Sequence, residues 1–240
     1  EGSLLYDHVK EAFETLSLGE DKLKRSIELG VGHIQIGVSS TLCKYMLLPY
    51  LSEFIHQNPH ISISISCQST NETLRLLDDN KIDIGLIGKP DTLKGLVFDH
   101  LSDIEDIFVA TPEYLSNLAE RGVEKSEVLE HATLMLLDKN NVTRRYIDDY
   151  FQKQLINVSD TINISDMGLL IDFAKIGVGV ACVIKSFVTR ELANGKLEEL
   201  PLEISIPKRE VGFAYKENIK HSKALETFIN FYKTYEPIEE

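Results

Sequence analysis

Gly32-His33-Ile34-Gln35-Ile36-Gly37-Val38-Ser39-Ser40-Thr41 changes character after Val38. Up to that point apolar residues alternate with polar or small ones, the period of a strand. Ser39, Ser40 and Thr41 then offer hydroxyls that can cap a helix. Leu42, Met46, Leu47, Tyr50, Leu51, Phe54 and Ile55 follow at helical spacing, and Pro49 among them implies a kink or a fresh first turn. Asn58-Pro59-His60 ends that helix. Ile61 to Cys67 alternates strictly between apolar residues and serine, so one face of this strand is expected to be covered. Ser69-Thr70-Asn71-Glu72 offers caps for a short helix to Asp79, and Lys81 to Gly88 reads as a third strand. Strand, helix, strand, helix, strand argues for a mostly parallel sheet with helices on its faces.

The pattern then repeats. Asp106 to Ala110 reads as a strand, and Thr111-Pro112 opens a helix. Ala132 to Leu137 is a second strand, running into the polar loop Asp138 to Thr143 and a helix from Arg144 to Leu155. Thr161 to Ile164 is a short strand, and Ser165-Asp166 can cap a helix from Met167 to Ile176. Gly177-Val178-Gly179 turns tightly into a strand reaching Ile184. Val211 to Tyr215 is a late strand, and Ser222 to Tyr232 a closing helix. Two α/β halves share these late elements. Ahead of them, Leu5, Val9, Ala12 and Leu16 are spaced four, three and four residues apart, the seam of a coiled coil, interrupted at Gly19. This predicts a dimerising or connecting helix.

Composition narrows the function. The net charge is -13, from 38 acidic against 25 basic residues, so phosphate backbones and anionic membranes should repel the chain. No run approaches the roughly 18 apolar residues of a membrane span, and the start lacks the basic-then-apolar pattern of a signal peptide. Cys43, Cys67 and Cys182 are odd in number and form no CxxC, which favours reduced cytosolic thiols over a disulfide framework. His56 and His60 have ligand-like spacing, but Pro59 disfavours the helix that would align them, so no metal site is expected. GxSxG, HExxH and GxxxxGK[ST] are absent, and Gly177-Val178-Gly179 lacks the later glycine of a dinucleotide fingerprint. No catalytic residue and no cofactor are expected.

Open parallel sheets take ligands at the carboxyl ends of their strands. The residues there are Ser39, Ser40 and Thr41, then Ser69 and Thr70, then Gly88 and Lys89, then Asn141, Thr143 and Arg144, and finally Ser165. Most are hydroxyls and amides at helix N-termini, where backbone N–H groups and the helix dipole favour a carboxylate or other anion. Lys89 and Arg144 would add positive charge. Any one Ser, Thr or Asn is more often a plain cap; their convergence is what points to binding.

Together these segments resemble the effector-binding domain of LysR-type transcriptional regulators. The resemblance is carried by Gly32 to Thr41, by Leu47-Leu48-Pro49-Tyr50-Leu51-Ser52-Glu53-Phe54 with Asn58-Pro59, by Ile82-Asp83-Ile84-Gly85-Leu86, by Ala174-Lys175-Ile176-Gly177-Val178-Gly179-Val180-Ala181, and by Ser222 to Phe231. It implies an α/β fold of two Rossmann-like subdomains with a cleft between them, like a type II periplasmic binding protein, preceded by a linker helix. The linker would be residues 1–29, subdomain I residues 31–104 plus 210–240, and subdomain II residues 105–209. It implies that a small-molecule effector, read here as anionic, binds among the residues named above. It further implies a homodimer or tetramer, a cytoplasmic location, no membrane partner, and DNA contact only through a winged helix-turn-helix that would precede residue 1. Cys182-Val183-Ile184-Lys185-Ser186 departs from the family, where many members continue with proline. Only Cys182 lies in subdomain II, so the disulfide switch that redox-sensing members carry there is not expected. The alternatives are an extracytoplasmic solute-binding protein and an enzyme on a similar fold.

Overall fold

The computed structural model describes residues 6, 8–10, 13, 16, 32–93, 95–217 and 222–235. β1 (Gly32–Val38) leads through a single turn, α1 (Ser40–Leu42), and a π-helical stretch (Cys43–Leu47) into α2 (Leu48–Gln57). β2 (Ile61–Cys67), α3 (Thr70–Asp78), β3 (Ile84–Gly88) and β4 (Leu96–Ile104) follow. Next come β5 (Asp106–Ala110), α4 (Pro112–Glu120), α5 (Val128–His131), β6 (Thr133–Leu137) and α6 (Val142–Gln154). β7 (Asp160–Ile164), α7 (Met167–Lys175), β8 (Val180–Ile184), α8 (Thr189–Ala193) and β9 (Glu198–Glu199) continue. β10 (Arg209–Lys216) and α9 (Lys223–Thr234) come last.

The strands form two sheets, ordered β2-β1-β3-β10-β4 and β7-β6-β8-β5-β9. β1 is parallel to β2 and β3, and β6 is parallel to β7 and β8. β10 runs antiparallel to β3 and β4, and β5 antiparallel to β8 and β9. Both sheets are therefore mixed, where the sequence pattern points to mostly parallel ones. The chain passes from the first sheet to the second between β4 and β5, and returns between β9 and β10. A strand arriving from the other lobe needs no crossover helix, so β5 and β10 can enter reversed. β4 is also an addition, since no strand is expected over Leu96–Ile104.

Apolar alternation sets the core of the first lobe. Ile34, Ile36 and Val38 of β1 have no accessible surface and belong to one cluster with Phe54, Phe213 and Phe228. Phe228 meets Phe54 and Phe213 edge-on at 4.9 and 5.5 Å. Burying each such aliphatic side chain is worth about 1.5–3 kcal/mol. Pro49 stands in the first turn of α2, directly after the π-helical stretch, and the helical backbone runs through Leu47 and Leu48 into it without a break. α9 is pinned to β4 by Asp99, which accepts from Tyr215 Oη at 3.0 Å, Tyr232 Oη at 2.7 Å and Lys233 Nζ at 2.9 Å. β2 is an edge strand whose apolar face is covered only at its start: Ile61 is buried, but Ile65 is 40% exposed.

Tyr6, His8, Val9, Lys10, Phe13 and Leu16 are helical. Leu5 and Ala12 of the expected seam, and the rest of the linker over 1–29, lie outside the described residues. Among the described residues, no helix is long and apolar enough to cross a membrane.

Candidate functional site

The cleft between the lobes encloses about 560 Å³ of empty space, its open mouth included. Ser39, Thr41, Leu42, Ser69, Thr70, Gly88 and Ile104 line it from the first lobe. Leu137, Asn141, Val142, Thr143, Met167 and Ile184 face them from the second, with Arg209 and Val211 where the chain returns.

Local sequence explains the polar walls. Ser39, Ser69 and Asn141 are each the N-cap of the helical segment that follows, with extended backbone that turns the chain off a strand end. Ser39 Oγ accepts from the Leu42 N–H at 3.2 Å and Ser69 Oγ from the Glu72 N–H at 3.3 Å. Asn141 Oδ1 accepts from the Thr143 N–H at 2.8 Å. The capping oxygens are thus already engaged, and what these turns present to the cleft is the positive end of each helix. Thr41 and Thr70 keep uncommitted hydroxyls among the described residues. Apolar Leu42, Ile104, Leu137, Val142, Met167 and Ile184 supply the remaining surface.

Sequence reasoning missed Arg209. Its Nε and Nη2 donate to the two oxygens of Asp106 at 2.8 and 2.8 Å, and Nη2 also donates to Thr143 Oγ1 at 3.2 Å. Its guanidinium lies over the Tyr146 ring, 5.0 Å from the centroid. Asp106 is buried, and burial raises its carboxyl above the ordinary value while the Arg209 fork pulls the other way. The only signal in the sequence is an acid opening β5 and a base opening β10, and only the double crossing brings them together.

The other expected site residues lie elsewhere. Ser40 Oγ donates to Asp166 Oδ2 at 3.1 Å, bridging the lobes rather than lining the cleft. Lys89 pairs at the surface with Glu210 at 2.7 Å. Arg144 is buried, donating to Asp148 at 2.7 Å, to the Leu137 carbonyl at 3.0 Å and to Asn163 at 2.6 Å. It fastens α6 to the ends of β6 and β7, so its charge is consumed inside the second lobe. Ser165 is exposed, and the cap of α7 is Asp166, whose Oδ1 accepts from the Gly168 and Leu169 N–H groups at 2.8 and 3.2 Å. Neither Lys89 nor Arg144 gives the cleft positive charge, and Arg209 arrives neutralised by Asp106. Attraction for an anion must come from helix N-termini and hydroxyls.

The lobes also meet beside the cleft. The rings of Tyr45, from the π-helical stretch, and Phe187, just after β8, stack with centroids 4.1 Å apart and planes 9° off parallel. Among the described residues, no group of three or more His, Cys, Asp or Glu could hold a metal ion.

Residues 28–236 match the LysR substrate binding domain family. The chain belongs to this family. The HTH-type transcriptional regulator CfxR of Cupriavidus necator is 25% identical over 196 residues, which are 82% of this chain and 61% of CfxR. The chain thus spans about three-fifths of the length of that curated relative. The regulatory domain of HypT from Salmonella typhimurium superposes with a TM-score of 0.72 at 17% identity, covering 85% of this chain and 94% of that one. The regulatory domain of CcmR from Synechocystis PCC6803, in complex with 2-PG, superposes with a TM-score of 0.70 at 18% identity, covering 84% and 95%. A LysR substrate binding domain with two α/β lobes, like a type II periplasmic binding protein, is therefore the fold of this chain.

Proposed function

We propose that this chain is the effector-sensing part of a LysR-type transcription regulator and that its cleft binds a small anionic metabolite. One observation carries the reading. Helix N-termini from both lobes open on a single cleft, with the hydroxyls of Thr41 and Thr70 beside them. A ligand touching both walls binds the closed arrangement better than the open one, and only that difference can shift the lobes. The family and the regulator CfxR support a regulatory rather than enzymatic role. CcmR, whose regulatory domain holds 2-PG, gives an example of the fold occupied by a ligand.

The hinges of this movement are the two crossings, between Ile104 and Asp106 and between Pro207 and Glu210. On this reading subdomain I comprises residues 31–104 and 210–240, and subdomain II residues 105–209. DNA contact belongs to a winged helix-turn-helix outside this sequence, in keeping with the net charge of -13. The protein acts in the cytoplasm as a homodimer. Tyr6, Val9, Phe13 and Leu16, helical and spaced three, four and three apart, are each at least 45% exposed and form a seam for a second copy.

A thermal-shift panel of small carboxylic, hydroxy and phospho acids tests the reading. One acid class should raise the unfolding temperature, and Thr41→Val or Thr70→Val should weaken its binding about tenfold, the worth of one hydrogen bond to a charged group. Stabilisation only by neutral or cationic compounds, or binding indifferent to both substitutions, would overturn it.

A further inference from the structure

Cys43 and Cys67 lie far apart in sequence, but the β1–β2 pairing brings them together. Cys67 ends β2 and stands opposite Val38, the last residue of β1. Cys43 lies one turn beyond Ser39, which follows Val38, and its N–H donates to the Ser39 carbonyl at 2.8 Å. The Cys43 thiol feels its Cys67 neighbour across this strand pair. Cys67 is exposed and Cys43 half-buried, whereas Cys182 is buried. Burial, and then the neighbouring Cys67, raise the Cys43 thiol above its ordinary value. A disulfide forms between two thiols on adjacent backbone segments whose Cβ atoms approach to about 3.5–4.5 Å.

We propose that Cys43 and Cys67 form a redox-active dithiol that closes to a disulfide by exchange with low-molecular-weight disulfides. The exposed Cys67 reacts first. Its thiolate attacks one sulfur of the small disulfide, forming a mixed disulfide and expelling one small thiolate. Cys43, as thiolate, then attacks the Cys67 sulfur and expels the second. Two protein thiols are oxidised, one small disulfide is reduced to two thiols, and the two protein protons pass to the departing thiolates. The new bond would tie the turn carrying Ser39 and Thr41 to the turn carrying Ser69 and Thr70. These turns supply most of the polar lining of the first lobe. Oxidation therefore stiffens that wall of the cleft. The chemistry stands whether or not the cleft takes the anion proposed above.

The test treats the whole chain with oxidised glutathione and follows it by intact-mass and peptide mass spectrometry, with amide hydrogen exchange on both redox forms. The expected product has lost two hydrogens and carries a Cys43–Cys67 linked peptide. Its free thiols, counted after denaturation, fall from three to one and return with dithiothreitol. Exchange should slow over residues 39–47 and 67–73. Cys43→Ser should stop at glutathione on Cys67, and Cys182→Ser should behave as the wild type. A wild-type product that retains glutathione on Cys67, or links two copies through Cys67 with no internal bond, would refute the dithiol. Unchanged exchange in the linked product would refute its action on the cleft wall.

Discussion

Arg209 holds both oxygens of a buried Asp106 and touches Thr143 in the cleft wall. Removing one partner of such a pair strands the other's charge, so Arg209→Ala should lower stability by about 3–5 kcal/mol, measured as a urea midpoint. Arg209→Lys should recover little, because an ammonium lacks the planar fork. Asp99 makes a pH prediction. Burial pushes its carboxyl up, but Lys233, Tyr232 and Tyr215 outweigh that and leave it below the ordinary value. Its folded value is therefore lower than its unfolded one, so the contribution is complete above the unfolded value and is lost as pH falls through the folded one. The wild type should lose more stability than Asp99→Asn between neutral pH and about pH 3. The two should differ by about 1–3 kcal/mol at neutral pH. At this scale the sequence was readable where local chemistry decides. Ser39, Ser69 and Asn141 stand at strand-to-helix junctions, and a junction is a local event. Lys89 and Arg144 misled because a charge near a strand end says nothing about partners such as Glu210 or Asn163, which other strands deliver.

Among the elements, β4 is the one the sequence hides. Asp99, His100, Ser102 and Asp103 break its alternation: Asp99 meets partners from distant elements, while His100 and Asp103 meet each other along the strand at 2.9 Å. Asp99 alone receives Tyr215, Tyr232 and Lys233. β4 pairs with β10 over its whole length, with a register shift between Val211 and Gly212. A Cβ on Gly212 would collide with the Asp99 carbonyl, so Gly212→Ala should part the two strands there and cost about 1–3 kcal/mol. Faster hydrogen exchange confined to β4 and β10 would identify the mechanism, whereas an unchanged midpoint would contradict it. The turn from α7 into β8 was readable by contrast. Gly177 has φ of 76°, and the Gly177 and Val178 N–H groups return to the carbonyls of Ala174 and Phe173 at 3.0 and 3.3 Å. Glycine suits that left-handed position, so its place after a helical run announces the stop.

At the scale of the whole molecule, two crossings make one chain into two lobes around a cleft. The periodicities announce two α/β halves, but the reversed entry of β5 and β10 follows from those crossings and has no local signature. The seam of Tyr6, Val9, Phe13 and Leu16 predicts self-association, so Phe13→Glu should lower the sedimentation coefficient toward that of a monomer while the lobes stay folded. The cleft can be tested without disturbing the core. Gly88 lines it, and a Cβ there would meet nothing nearer than the Glu210 carbonyl at 4.0 Å. Gly88→Leu should therefore fold normally while occupying the cleft. The deciding measurement is native mass spectrometry of the wild type and Gly88→Leu after incubation with a pooled extract of small metabolites. One acidic small molecule bound per wild-type chain and none on the variant is the predicted result. No adduct on either protein, or the same adduct on both, would contradict a ligand site between the lobes.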